Sequence, residues 1–67
     1  MSDSIRATVS AFLRMPMYRR RRVMADLGHP LDVYASHEDY VVALAAVKEA
    51  GEIGRFVDLV SIAADSE

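Results

Sequence analysis

The chain has 67 residues, a net charge of −2 and an apolar fraction of 52%, but no cysteine. This length lies near the lower limit for one independently folding domain, and the lack of thiols excludes a disulfide framework and a thiolate metal site. No apolar run approaches the roughly 20 residues of a membrane span, and the N-terminal segment lacks the apolar region of a secretory signal, so we expect a cytoplasmic protein.

The first predicted helix extends from about residue 3 to residue 15. We expect a serine or aspartate among residues 2–4 to cap its start. Pro16 ends the helix, because a proline disfavours helical conformation in the residue before it. Apolar side chains recur at helical spacing and predict one buried stripe, formed by Ile5, Val9, Phe12 and Leu13.

The second predicted helix covers about residues 17–27 and contains a run of four arginines. Gly28 is typical of the position that follows a helix end, and Pro30 supports the same stop. The predicted buried stripe consists of Met17, Val23, Met24 and Leu27, with Tyr18 at its edge. In the connector that follows, we expect three residues to fold back on the core: Leu31, Val33 and Tyr34.

The third predicted helix covers about residues 37–50. Ser36 is a suitable N-cap, and Asp39 stands where it completes a capping box. The carboxylates of Glu38 and Asp39 suit the positive end of the helix dipole. Because the sequence YVVALAAV is apolar on nearly every face, we expect this helix to be the central and most buried one.

The fourth predicted helix covers about residues 52–64, after a turn at Gly51. Its apolar residues give the clearest amphipathic pattern of the chain: Ile53, Phe56, Val57, Val60, Ala63 and Ala64. No segment has the alternation of a strand. The sequence therefore predicts an all-α fold, a compact four-helix bundle that forms a single domain over residues 1–67.

Catalytic and metal-binding signatures are absent from the sequence. The histidines His29 and His37 stand at predicted helix ends, and their spacing with Asp39 matches no known set of metal ligands. No serine has a nucleophile signature, and no glycine-rich loop is present to hold a phosphate. We therefore predict a protein that is not an enzyme and has no cofactor, metal or small-molecule substrate.

The charge is distributed unevenly along the sequence. Residues 1–25 contain six arginines and one aspartate, a net charge of +5, whereas residues 26–67 contain two basic and nine acidic residues, a net charge of −7. Four successive residues surround a helix, so the arginines of the run cannot all face one ligand. We expect Arg20 or Arg21 to lie along the edge of the core and the others to form a basic surface with Arg14 or Arg6.

A basic surface and an acidic surface on one small body favour binding to another protein. Arginine pairs bidentately with carboxylates and is enriched at interfaces. An apolar anchor is also needed, for which Tyr18, Tyr34 and Tyr40 are candidates, although any of them can belong to the core. Charges that only keep the bundle soluble are the simpler alternative. The predicted partner-binding residues are Arg14, Tyr18, Arg19, Arg20, Arg22, Glu49, Glu52 and Asp58.

Two other functions remain open from the residues alone. One is a small nucleic-acid-binding regulator that uses Arg19–Arg22 as a phosphate clamp. The isoelectric point of about 5.6 makes this function less favourable, because negative charge elsewhere on the body repels phosphates. The other is an antitoxin-like regulatory peptide that covers an enzyme of unrelated fold.

Three segments together resemble the bacterial effector-associated domains, which are short helical adaptor modules similar to death-fold domains. These segments are ATVSAFLRMPMY, RRRRVMADLG and YVVALAAVKEAGEIGRFVDLVSIA, and they lie within residues 7–63. The resemblance implies a non-enzymatic role in a bacterial defence system, in which the domain recruits a partner that carries a related domain. The family has no common binding motif, so these interface residues are inferred only from charge and expected exposure.

Overall fold

The computed structural model describes residues 3–65, and this part of the chain is entirely helical apart from its turns and connectors. Each helix end lies within one residue of its predicted position, and the prediction of a four-helix bundle is confirmed. Of the residues expected to cap the first helix, Ser2 lies outside the described residues. The helices are α1 (Asp3–Arg14), α2 (Met17–Asp26), α3 (His37–Glu49) and α4 (Ile53–Asp65).

The start of α3 is fixed by the predicted capping box. The hydroxyl oxygen of Ser36 accepts a hydrogen bond from the backbone N–H of Asp39 at 3.3 Å, and the Asp39 carboxylate accepts one from the Ser36 N–H at 2.8 Å. Both bonds satisfy backbone donors that the helix itself leaves without a partner. The local sequence therefore determines where this helix begins.

The ends of α2 and α3 share one geometry, the Schellman motif. Gly28 and Gly51 follow the two helices with φ angles of 87° and 73°, in the left-handed region that glycine adopts without steric cost. The next N–H after each glycine returns to the last turn: His29 donates to the Met24 carbonyl at 2.9 Å, and Glu52 donates to the Val47 carbonyl at 3.1 Å. The prediction of a glycine stop after α2 is confirmed.

The core is built around Phe12 of α1. Its ring centroid lies 5.1 Å from that of Phe56 and 6.0 Å from that of Tyr40, and both ring pairs are tilted as aromatic quadrupoles prefer. These three side chains are fully buried and join α1, α3 and α4. The other buried residues are Val23, Met24, Leu27, Ala35, Val47 and Val60.

The central helix is α4 and not α3, so the expectation for α3 was wrong. Helix α4 packs against each of the other three helices. In α3 only Tyr40 and Val47 are buried, while the side chains of Val41 and Val42 are 46% and 69% exposed. Composition predicted burial on all sides of α3, but the bundle supplies neighbours on one side only.

Three other residues predicted to be buried lie at the surface. Met17 is 39% exposed, and in the connector Val33 and Tyr34 are 56% and 91% exposed. The connector is anchored instead by Ala35, which is 7% exposed, and by the half-buried Leu31, which packs against the core. A tight turn in the connector directs the two larger side chains away from the bundle.

Candidate partner-binding surface

Helices α2 and α4 lie antiparallel, and two arginines join their ends. Arg19, in the first turn of α2, donates from Nη1 to the carbonyl of Ala63 in the last turn of α4 at 2.7 Å. Arg55, near the start of α4, donates from Nη2 to the carbonyl of Asp26 at the end of α2 at 3.4 Å. Each guanidinium thus stands at the negative end of a helix dipole and satisfies a terminal carbonyl.

A groove of about 420 Å³ runs between these two helices. Its inner part is apolar, formed by the buried Val23 and by Leu59, which packs against the core. Tyr18 and Ile62 line it with side chains that are each 63% exposed. We call this feature the α2/α4 groove, defined by the residues that line it: Tyr18, Arg19, Arg22, Val23, Asp26, Leu59, Ile62 and Ala63.

Three of the eight predicted partner-binding residues line the groove, and a fourth lies beside one end of it. Tyr18, Arg19 and Arg22 line it directly. Arg14 lines a neighbouring depression of about 270 Å³ that shares Arg19 with the groove. Arg19 itself is half-buried and donates from Nε to the Tyr18 hydroxyl at 3.2 Å, which fixes both side chains at the boundary between the two depressions.

Arg20 does not take part in the groove. Its guanidinium carbon lies 5.0 Å from the ring centroid of Tyr40, and Nη2 lies 3.4 Å from the sulfur of Met17. Arg20 is thus the arginine that lies along the edge of the core, one of the two expected to do so. Its contact with a buried ring is a cation–π interaction within the bundle, so a change at this position affects folding as well as any interface.

The predicted acidic residues do not line the groove. Glu49 is exposed at the end of α3, and Asp58 is exposed on α4, one turn before Ile62. The Glu52 carboxylate lies 3.5 Å from Nε2 of His29, so it links the turn after α3 to the turn after α2. Asp58 is therefore the acidic residue next to the groove, since it precedes the groove residue Leu59 in sequence. The Glu52 carboxylate already has a partner within the bundle, His29.

Sequence reasoning missed the groove residues contributed by α4 and the last residue of α2. Leu59 and Ile62 fall outside the apolar stripe predicted for α4, and Asp26 was counted only as part of the acidic half. These two large apolar residues off the stripe of an amphipathic helix were the available signal. Contiguous exposed apolar patches mark interaction sites and binding grooves, whereas single exposed apolar residues are common on any surface.

The hydroxyl of Tyr40 gives a testable prediction about the core beneath Arg20. This hydroxyl is buried and has no hydrogen-bond partner among residues 3–65. Replacing Tyr40→Phe removes an unsatisfied polar group and keeps the ring under the guanidinium, so we expect the free energy of unfolding to rise by about 1 kcal/mol. Urea denaturation followed by circular dichroism measures the change.

The matched control is Tyr34→Phe, because the Tyr34 side chain is 91% exposed. A substitution at such a position changes stability by less than about 0.5 kcal/mol. A loss of stability in Tyr40→Phe, with no change in the control, would contradict the assignment of an unsatisfied hydroxyl.

No family model, curated protein or solved structure matches this chain. Within residues 3–65, no three His, Asp or Glu side chains are arranged to hold a metal ion. None of the four helices has the length and apolar character that a bilayer crossing requires.

Proposed function

We propose that this chain is a non-enzymatic adaptor that binds a protein carrying a related helical domain, in the cytoplasm and within a bacterial defence or signalling system. The α2/α4 groove is the proposed binding surface, and Arg22 is its principal charged contact. The defence setting and the related partner follow the resemblance to effector-associated domains. The choice of the groove follows the geometry.

The observation that carries the proposal is the composition of the groove. Apolar side chains form its inner part, an exposed tyrosine and an exposed isoleucine line it, and Arg22 is exposed beside them. Interfaces with measurable affinity combine an apolar anchor with charges that orient the partner, because exposed ion pairs alone contribute less than about 1 kcal/mol. Here both elements occur in one groove.

The arginine run supports a protein partner better than a nucleic acid. Arg19 is bonded to a helix carbonyl and Arg20 lies over a buried ring, so two of the four guanidinium groups have contacts within the bundle. Arg21 is half-buried, and Arg22 is the exposed member of the run. A phosphate clamp requires several side chains on one accessible face, as counterion release scales with the number of phosphates contacted.

The central test is reversal of charge at Arg22. In sedimentation of the purified chain over a concentration series, we expect the wild type to self-associate more strongly at low salt than at high salt. Arg22→Glu is expected to weaken association by about tenfold or more, because a carboxylate in the groove repels the acidic contact of the partner. Arg6→Glu is the matched control, since Arg6 is exposed on α1 and lies outside the groove.

Both variants should keep the helical circular dichroism of the wild type, since both arginines are exposed. Equal association of Arg22→Glu and wild type would contradict the groove as the binding surface. Fluorescence anisotropy with a labelled DNA duplex tests the alternative function. Binding that falls steeply with added salt and is lost in Arg22→Glu would favour nucleic acid over protein.

A further inference from the structure

The connector between α2 and α3 presents an exposed aromatic side chain on an ordered turn. The carboxylate of Asp32 accepts a hydrogen bond from the N–H of Tyr34 at 2.8 Å, and the carbonyl of Asp32 accepts one from the N–H of Ala35 at 3.0 Å. Burial of Ala35 fixes the end of the turn, while Val33 and Tyr34 point into solvent. Residues 32–35 are called the Tyr34 turn below.

The large side chain of this turn contributes little to the stability of the bundle. An aromatic side chain that is 91% exposed adds almost no burial to the core. Tyrosine is enriched among residues that dominate interfaces, since it has a large apolar ring and a hydroxyl that can hydrogen-bond. Because the hydrogen bonds of Asp32 already order the backbone, binding through Tyr34 costs little additional conformational entropy.

An acidic depression lies beside the exposed ring. It has a volume of about 380 Å³ and is lined by Leu31, Asp32, Tyr34, Ala35 and Asp39. Asp32 and Asp39 each accept a hydrogen bond from the backbone, at 2.8 Å in both cases. A carboxylate has about four acceptor positions, so both keep the capacity to accept a bond from an arginine.

We propose that Tyr34 of one copy of this chain inserts into the α2/α4 groove of a second copy, and that Arg22 of the second copy pairs with Asp32 and Asp39 of the first. This inference rests on the proposed function and names the occupant of the groove. The groove carries Arg19 and Arg22 beside one carboxylate, Asp26, and Arg22 is the exposed arginine of the two. The Tyr34 turn and its depression present two carboxylates, which complement Arg22.

The size of the groove fits this occupant. An apolar cavity of about 150 Å³ binds benzene, and the groove has about 420 Å³. It therefore has room for the phenol ring and for part of the neighbouring Val33. The inner groove residues Val23 and Leu59 are apolar, as required for contact with a ring.

The contact joins two different surfaces, so it is heterologous. No residue lines both the groove and the acidic depression. A copy that receives Tyr34 in its groove still presents its own Tyr34 turn, and association continues into a ring or an open filament. A self-complementary dimer, in contrast, stops at two copies.

Complementary variants test this arrangement. Tyr34→Ala keeps the groove and removes the ring, whereas Arg22→Glu keeps the ring and reverses the charge of the groove. Alone, each variant is expected to associate about 30-fold more weakly than the wild type, the effect of losing a dominant interface residue. Mixed in equal amounts, they are expected to form a 1:1 heterodimer in sedimentation and no larger species, because one intact groove and one intact ring remain.

The controls separate the ring from general surface effects. Tyr34→Phe is expected to associate like the wild type, as is Val42→Ala, an exposed apolar residue on α3 outside both surfaces. Unchanged association of Tyr34→Ala overturns the inference. If Arg22→Glu alone weakens association, the groove is retained as the proposed binding surface and only its occupant is wrong.

Other outcomes are equally decisive. A wild type that stays monomeric at every concentration overturns this inference, and the proposed function then requires a different helical protein in the groove. If the wild type does self-associate and every variant associates equally well, both proposals are overturned. If Arg22→Glu loses its helical circular dichroism, Ile62→Glu replaces it as the groove variant, with the same heterodimer expected.

Discussion

Replacing Phe12→Ala is expected to leave most of the chain unfolded at 25 °C. The Phe12 ring is fully buried and contacts the rings of Phe56 and Tyr40. Its removal therefore opens a cavity between α1, α3 and α4. Deletion of a buried phenylalanine side chain costs about 3–5 kcal/mol. In a chain of 67 residues a single hydrophobic core rarely supplies more than about 3–5 kcal/mol, so this loss is as large as the whole stability.

The measurement is the helical circular dichroism of Phe12→Ala as a function of urea concentration. Phe12→Leu is the matched variant, since it keeps an apolar side chain in the same space, and we expect it to fold with reduced stability. A urea midpoint in Phe12→Ala equal to that of the wild type would show that the packing of Phe56 and Tyr40 does not require the Phe12 ring.

Replacement by alanine is expected to change the free energy of unfolding in opposite directions at Gly51 and Gly54. A methyl group at either position meets nothing within 4 Å, so contacts do not distinguish them. Gly51 has a φ angle of 73°, whereas Gly54 lies within α4. We expect Gly51→Ala to cost about 1–2 kcal/mol, because an L-residue is strained in the left-handed region. Gly54→Ala should instead raise stability by about 0.4–1 kcal/mol, because it restricts the unfolded chain.

Urea midpoints of the two variants and the wild type measure this difference. Gly51→Asn is a further control, since asparagine tolerates the left-handed region better than alanine, and we expect an intermediate loss. Equal effects of Gly51→Ala and Gly54→Ala would mean that the end of α3 does not require the backbone conformation described above.

The helix ends were predictable because each depends on a few adjacent residues. Pro16 separates the first two helices, Ser36 and Asp39 form the capping box, and Gly28 and Gly51 stop α2 and α3. These signals act through backbone hydrogen bonds within one turn, which the sequence shows directly. The fold class followed from four such segments without a strand pattern.

The position of each helix in the bundle was not predictable in the same way. The residues of α3 are apolar on most sides, but burial depends on how many neighbours a helix has, and that number is a tertiary property. Val41 and Val42 are exposed for this reason, although their residue type favours burial. A clear amphipathic stripe, as in α4, proved a better guide to the centre of the bundle than high apolar content.

The candidate site was only partly predictable. Charge identified the arginine run, and helical geometry showed that its members face different directions. It did not show that Arg19 bonds to the Ala63 carbonyl, because these residues are 44 positions apart. The groove depends on such long-range placement, and so does the burial of Ala35 that fixes the end of the Tyr34 turn. A sequence pattern identifies residues of suitable chemistry, but the packing of α2 against α4 decides which of them share a surface.

The central position of α4 has a consequence for synthesis on the ribosome. Helices α1, α2 and α3 are made first, but each packs against α4, which comes last among the described residues. At 5–20 residues per second, the ribosome adds the segment Ile53–Asp65 in roughly one second. Until then Phe12 lacks its contact with Phe56, and the nascent chain can complete its core only after translation has passed α4.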